Sequence, residues 1–265
     1  MKKTFISGLG FQKIAKWSIC PRYPQLWIPE EVKEDDLVFV NFSTFLSFLT
    51  ILAQNPPDAK FRIILHNSDR CFEESQYRMI EPYVNHIYSI NNTIFTENKN
   101  ITTIPLGYRD SPYDTMEILR SVPFQQKKTI LLYMNFELNT NMEKRTECKT
   151  HFDDEPWVVK EGFYKKDALP LPEFYGKIAK SKYILSPEGT GIDCHRIYES
   201  IYYNAIPILK TNRMDVFYSK LPVWIIKDWS EITEEILNHE YTARHKKLLE
   251  WKYENPNWLY PEFWL

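Results

Sequence analysis

The stretch SPEGTGIDCHRIYESIYYNAIPIL, residues 186–209, gathers the residue types that handle a charged, hydroxyl-bearing ligand. Two of the chain's 7 glycines, Gly189 and Gly191, stand here beside Ser186, Glu188, Thr190 and Asp193. YILSP reads as a strand, EGTG as a tight loop at its carboxyl end, and DCHRIYESIYY as a helix capped by Asp193. Glycine lets a backbone approach a ligand closely. A helix N-terminus offers unpaired N–H groups and a partial positive charge, which suit a phosphate. Arg196 in the first turn adds a full charge and a bidentate fork. Glu199, three residues on, shares its face. Its carboxylate only accepts hydrogen bonds, which suits two vicinal hydroxyls such as those of a ribose. Together these residues describe a nucleoside-diphosphate pocket. On spacing alone, an ordinary α/β loop with a surface i,i+3 ion pair fits equally well.

Such a pocket needs strands and helices to hold it. DLVFVNFS and FRIILHNSD are β-branched and aromatic runs that predict strands. TFLSFLTILAQ and FEESQYRMIEPYV predict helices. KTFISGLG reads as a strand entering a glycine turn, and HIYSINN and ITTIPLG as two further strands. Residues 108–128 hold two prolines and little strand character. After them the alternation restarts. TILLYMNF, WVVKEG, KYILSPEG, AIPILK and VWIIKD are strands, separated by helices in NMEKRTECKTHF, LPEFYGKIAKS, DCHRIYESIYYN and MDVFYSK and followed by SEITEEILN. Alternating strands and helices imply parallel sheets with crossover helices. The expectation is an α/β chain of two Rossmann-like domains facing across a cleft, residues 1–125 and 126–265. The tail HKKLLEWKYENPNWLYPEFWL should form a helix and then pack back on the first domain, since so many exposed tryptophans are disfavoured in water.

Composition narrows the function. Hydrophobic residues are 43% and aromatics 15% of 265 residues, ample for a core. A net charge of -2, with lysines and arginines scattered, leaves no footprint for nucleic acid. The longest apolar run, FLSFLTILA, falls short of the roughly 20 residues of a membrane span. MKKTFISGLGFQK has neither the apolar core nor the cleavage site of a signal peptide. Cys20, Cys71, Cys148 and Cys194 are too dispersed for a zinc site or a disulfide framework. The expectation is a soluble cytoplasmic protein with reduced thiols, in which the sequons at Asn41, Asn91 and Asn100 are chance. The sequence leaves its oligomeric state open.

SKYILSPEGTGIDCHRIYESIYYNAIPIL resembles the donor-binding region of exostosin-like glycosyltransferases. Their pattern is a serine-lysine-aromatic strand, S/C-P-x-G, a polar loop, R-x-x-E, a small-residue turn and I-P-V/I. LPVWIIKDWSEI, HNSD, IPLG and YMNFELNTNMEKR also fit the soluble members found in bacteria and large DNA viruses. The likeness spans most of residues 60–235. Asn204-Ala205 stands where the family has glycine, and the anchor of its Golgi members is absent, which implies a cytosolic, microbial or viral setting. The resemblance implies a fold of the glycosyltransferase B type, with a UDP-sugar as co-substrate held by the second half. By position, Arg196 would contact the diphosphate and Glu199 the ribose. Ser186, Glu188, Gly189, Thr190, Gly191 and Asp193 would line the donor pocket, and Asn135 and Arg145 would reach the diphosphate from its other side. UDP-xylose is the favoured donor among the UDP-sugars. No Asp-x-Asp occurs in the chain, so no metal is expected; the helix end and the arginines would stabilise the leaving group.

The acceptor would be a glycan hydroxyl, and an inverting transfer needs a general base in the first half. LHNSDR supplies Asp69 and, as second choice, His66, at the carboxyl end of a strand. Asp69 as a plain helix cap is the competing reading. SGLG, with Ser7, Gly8 and Gly10, could admit the acceptor sugar. It lacks the third glycine of a dinucleotide fingerprint, which argues against an NAD enzyme. A non-catalytic nucleotide- or carbohydrate-binding module on the same fold is the alternative to a transferase.

Overall fold

In the computed structural model, which describes residues 4–21, 25–94, 100–110 and 115–265, the chain forms two parallel α/β units. One comprises Met1–Gly107 with Asn257–Leu265, the other Tyr108–Pro256.

The first unit runs α1 Gly8–Ile14, β1 Trp17–Ile19, β2 Leu37–Asn41, α2 Phe45–Gln54, β3 Phe61–His66, α3 Glu74–Ile80, β4 Val84–Ser89 and β5 Ile101–Thr103. Its sheet has the order β1-β2-β3-β4-β5, all parallel. A parallel sheet is covered on both faces, so its strands are apolar throughout rather than alternating. Val38, Phe39, Val40, Ile63, Ile64 and Leu65 are accordingly all fully buried. Residues 4–7 form no strand, contrary to expectation. Ser7 is the N-cap of α1, its Oγ accepting from Gly10 N at 3.0 Å. Ile6 N–H donates instead to Leu259 O at 2.7 Å. The first strand is Trp17–Ile19, whose three residues are too few to show a period.

The chain divides after Gly107 rather than at 125/126. Residues 111–114 lie outside the described residues, but Thr115–Ser121 is a helix, α4, of the second unit. Its Leu119 is fully buried, and Tyr203 donates its hydroxyl to Leu119 O. At the other end, residues 257–265 return to the first unit. There Tyr260 meets Phe5 edge-on, and Tyr88 donates its hydroxyl to Leu265 O at 3.3 Å.

The second unit continues with β6 Ile130–Asn135, α5 Met142–Phe152, β7 Val158–Glu161, α6 Leu171–Lys180, β8 Ser181–Leu185, α7 His195–Tyr202, β9 Ile206–Lys210, α8 Asp215–Tyr218, β10 Trp224–Ile226 and α9 Glu234–Glu254. SEITEEILN and the first part of the tail thus join in one helix of 21 residues, which buries Leu237 and Leu248. The strand order is β10-β9-β8-β6-β7. From β6 the chain goes to β7 on one side, then crosses back to β8 on the other. That reversal is a topological switch point, where open α/β sheets bind ligands beyond the strands' carboxyl ends. Among the described residues no helix is long and apolar enough to cross a membrane.

The far end of α7 is tied down by two half-buried lysines. Lys252 donates to Ile201 O at 3.2 Å, Tyr202 O at 3.0 Å and Asn204 Oδ1 at 2.5 Å. Lys128 donates to Ala179 O at 2.7 Å and Tyr203 O at 2.6 Å. Burial pulls both ammonium groups down to about 8. Asn204 takes the left-handed φ of 58° that follows a helix, a conformation glycine favours and asparagine tolerates. This accounts for an asparagine at a position where glycine would be the default. Lys252→Met removes the donor to Tyr202 O and Asn204 Oδ1, while Ile201 O keeps the Asn204 N–H at 3.1 Å, and is expected to cost about 1–3 kcal/mol. Urea unfolding should show a lower midpoint at unchanged slope.

Candidate functional site

The loops that leave β6 and β8 flank the switch point, and they are sewn together. Asn141, the N-cap of α5, donates Nδ2 to Gly189 O at 3.0 Å. Thr190 Oγ1 donates to Thr140 O at 3.1 Å, and Lys144 pairs with Glu188 at 2.5 Å. Arg145 is the main stitch. Only 6% exposed, it donates Nε to Glu188 O at 2.9 Å, Nη1 to Glu137 O at 2.8 Å and Nη2 to Pro187 O at 3.5 Å. Gly189 is needed at this contact, because a Cβ there would lie 2.7 Å from Arg145 Nη2. Arg145 is therefore a buried tie between two loops, not a solvated helix residue.

Arg196 lies beside it. Its guanidinium stands 5.9 Å from the centre of the Phe136 ring, and that of Arg145 stands 5.6 Å from the same ring. Burial first, and the charge of Arg145 second, pull Arg196 down to about 10. Arg196 Nε and Ser186 Oγ are both buried, and among the described residues neither makes a hydrogen bond. A buried cation next to another cation, with unsatisfied donors around it, is costly. An anion with several acceptor oxygens would relieve both defects.

One turn further along α7, Glu199 is fully buried. Its Oε1 accepts from the Tyr175 hydroxyl at 3.1 Å and lies 3.9 Å from Arg109 Nε. Its Oε2 is buried without a hydrogen-bond partner. The two cations are thus followed along α7 by an unpaired buried acceptor whose missing partner is a donor such as a hydroxyl. Tyr175 and Arg109 escape a reading of the sequence. Tyr175 is one aromatic on the apolar face of α6, like any core residue, and Arg109 follows the IPLG turn with no motif around it.

Asp193 does not cap α7, whose N-cap is Cys194. It is buried, accepting from Cys194 N at 2.9 Å, Tyr198 OH at 2.5 Å and Tyr218 OH at 3.3 Å. Burial, then the Asp193 charge, drive both phenols well above their ordinary range. Asp193 thus braces the end of the loop. Gly191 O accepts Gly189 N–H at 3.1 Å, closing the turn around the exposed Thr190. Asn135 ends β6 opposite Glu161 of β7, against Gly162, whose Cβ would sit 2.5 Å from Asn135 Nδ2. It stands on the β7 side of the switch point.

The remaining expected residues lie in the first unit. A Cβ on Gly8 would stand 1.7 Å from Asn67 Oδ1, and one on Gly10 2.3 Å from Phe5 O. Gly10 lets α1 close on the Phe5 carbonyl, and Gly8 lets it press against Asn67 just past the end of β3. His66 sits in that contact, its ring 5.3 Å from that of Phe11. His66 Nδ1 lies 2.8 Å from Asn67 N and 2.9 Å from Asn67 Oδ1, and Nε2 lies 3.2 Å from Pro105 O, so both ring nitrogens have partners. Asp69, three residues on, is exposed. It caps no helix: α3 takes Glu73 as its N-cap, with Gln76 Oε1 accepting Glu73 N–H at 3.0 Å. Among the described residues, no group of three His, Cys, Asp or Glu side chains is placed to hold a metal ion.

No family model matches the chain. It is similar to ribitol-5-phosphate xylosyltransferase 1 of Danio rerio, with 24% identity over 247 residues, covering 78% of this chain. The chain spans about half of that protein, 54% of its length. Among solved structures it is similar to a UDP-forming α,α-trehalose-phosphate synthase from Burkholderia vietnamiensis, at 10% identity and a TM-score of 0.49, over 86% of this chain and 72% of that one. It is also similar to the pneumococcal O-GlcNAc transferase GtfA in complex with UDP and GlcNAc, at 13% identity and a TM-score of 0.35, over 83% of this chain and 51% of that one. At such scores the two structural likenesses are too loose to carry weight. The kinship that stands is a distant one, in sequence, to a xylosyltransferase.

Proposed function

We propose that the chain is a glycosyltransferase of the B-type fold that transfers a sugar from a UDP-sugar to a hydroxyl of a glycan acceptor. One observation carries the reading. At the switch point of the second sheet, Arg196 and Arg145 converge over Phe136, with Arg196 Nε and Ser186 Oγ buried and unsatisfied. One turn away, Glu199 Oε2 is a buried acceptor without a donor. A nucleoside diphosphate sugar brings both missing partners, phosphate oxygens for the cations and ribose hydroxyls for the carboxylate. The xylosyltransferase relative supports a transferase, and UDP-xylose is the donor we favour.

In this reading Arg196 binds the diphosphate and stabilises the charge that develops on it as the glycosidic bond breaks. Arg145 shapes the Glu188–Gly191 turn from below and adds its charge. Glu199 orients the ribose. In the first unit Asp69 takes the proton of the acceptor hydroxyl, as an inverting transfer requires. The two guanidinium groups take the place of a divalent cation, so the donor site works without metal. Titration calorimetry with UDP in EDTA tests this, with binding and an unchanged affinity on adding Mn²⁺ as the expected result. Binding that begins only when Mn²⁺ is added would overturn the metal-free site. No binding under either condition would overturn the nucleotide site.

A further inference from the structure

We infer that Tyr175 restricts Glu199 to a single ligand hydroxyl, so that the pocket reads one of the two ribose hydroxyls and is indifferent to the other. The inference rests on the nucleotide-sugar reading above and departs from the expectation that the carboxylate grips both. A free carboxylate has about four lone-pair sites on two oxygens, and can therefore offer one oxygen to each hydroxyl of a vicinal diol. Glu199 is not free in this sense. Oε1 already holds the Tyr175 hydroxyl at 3.1 Å and faces Arg109 Nε at 3.9 Å. Oε2 holds neither. The two oxygens of one carboxylate are thus unequal before any ligand arrives.

Tyr175 is held in this role. It is fully buried, and its ring packs between those of Phe174, at 5.5 Å, and Tyr203, at 6.1 Å. Burial, with the Glu199 charge behind it, raises its phenol far above the ordinary range, so the hydroxyl keeps its proton and goes on donating. Arg109, itself exposed, lies on the same side, its guanidinium 6.0 Å from the Phe174 ring centre. Tyr175 therefore acts through Glu199 as a positioning residue.

Calorimetry with UDP, 2′-deoxy-UDP and 3′-deoxy-UDP on the wild type and on Tyr175→Phe tests the inference. In the wild type, one deoxy analogue should bind about 10- to 100-fold more weakly than UDP, and the other should stay within about 3-fold of it. In Tyr175→Phe, Oε1 is released to the second hydroxyl, and the analogue formerly tolerated should fall behind UDP as well. Equal losses for the two analogues in the wild type, or no loss for either, would overturn the role of Tyr175 while leaving the nucleotide site standing. So would a Tyr175→Phe protein that keeps the one-hydroxyl pattern. Should that variant not fold, the wild-type comparison decides alone. UDP failing to bind the wild type would overturn the nucleotide site and this inference together.

Discussion

Arg196→Ala is expected to weaken UDP by roughly 10- to 150-fold, the loss of about 1.5–3 kcal/mol that follows removal of a charged hydrogen-bond partner. The size follows from where the side chain sits. Arg196 is 7% exposed, so water screens its charge poorly and cannot replace it once the diphosphate is bound. Arg145 contributes its charge but cannot reproduce the fork of Arg196, because three of its donors are committed to Glu188 O, Glu137 O and Pro187 O. Arg196→Lys should recover little, since a point charge on a flexible stem does not reproduce a planar fork. Stability should move less than affinity, because the alanine also removes a buried cation that Arg145 repels. Calorimetry at fixed ionic strength, with a thermal melt as the control for folding, checks both statements. UDP affinity unchanged in a folded Arg196→Ala protein would make this arginine a structural residue and the crevice something other than a diphosphate site.

Asp69→Asn is expected to cut transfer by about 10²–10⁴-fold, the usual contribution of a general base, with UDP affinity unchanged. The donor-binding groups all belong to the second unit, and Asp69 to the first. The competing explanation, a helix cap, fails on geometry, since α3 begins at Glu74 with Glu73 as its cap. Asparagine should therefore leave the melting temperature where it is, and a loss of turnover would be chemical. His66 is the less available of the two bases. Its Nδ1 faces the backbone N and the side-chain Oδ1 of Asn67, and its Nε2 is turned to Pro105 O. Near wild-type transfer by Asp69→Asn, measured as initial rates with donor and acceptor both saturating, would move the base to His66 or point to a retaining reaction.

Much of the site is local in character and so legible in order of residues. A strand, a glycine turn and a helix with Arg196 and Glu199 on one face are written within residues 183–202. The alternation of apolar runs with amphipathic stretches announced parallel α/β units, because strands covered on both faces must be apolar throughout. Other features read wrongly for an equally physical reason. KTFIS has the composition of a strand, but Ile6 N–H pairs with Leu259 O, at the far end of the chain, and Ser7 caps a helix. The 108–128 segment has little strand character and sits before the expected 125/126 boundary, yet its helix α4 buries Leu119 in the second unit.

Strand order was never in the local pattern. The sequence by itself determined which segments are strands and where the reactive loop stands along the chain. Only the tertiary structure decided that β8 lies beside β6, which brings two loops some fifty residues apart to one switch point. Arg145 shows the same division. MEKRTECKTHF reads as a solvated polar helix, yet Arg145, Cys148 and Phe152 form its buried face at i, i+3 and i+7. What turns that arginine inward is a set of carbonyl oxygens on Glu137, Pro187 and Glu188. The asymmetry of Glu199 is decided likewise, by Tyr175 from a different helix. Residue type and spacing choose the chemical groups; which of their atoms are left open depends on non-local partners, and those are set only when the chain packs.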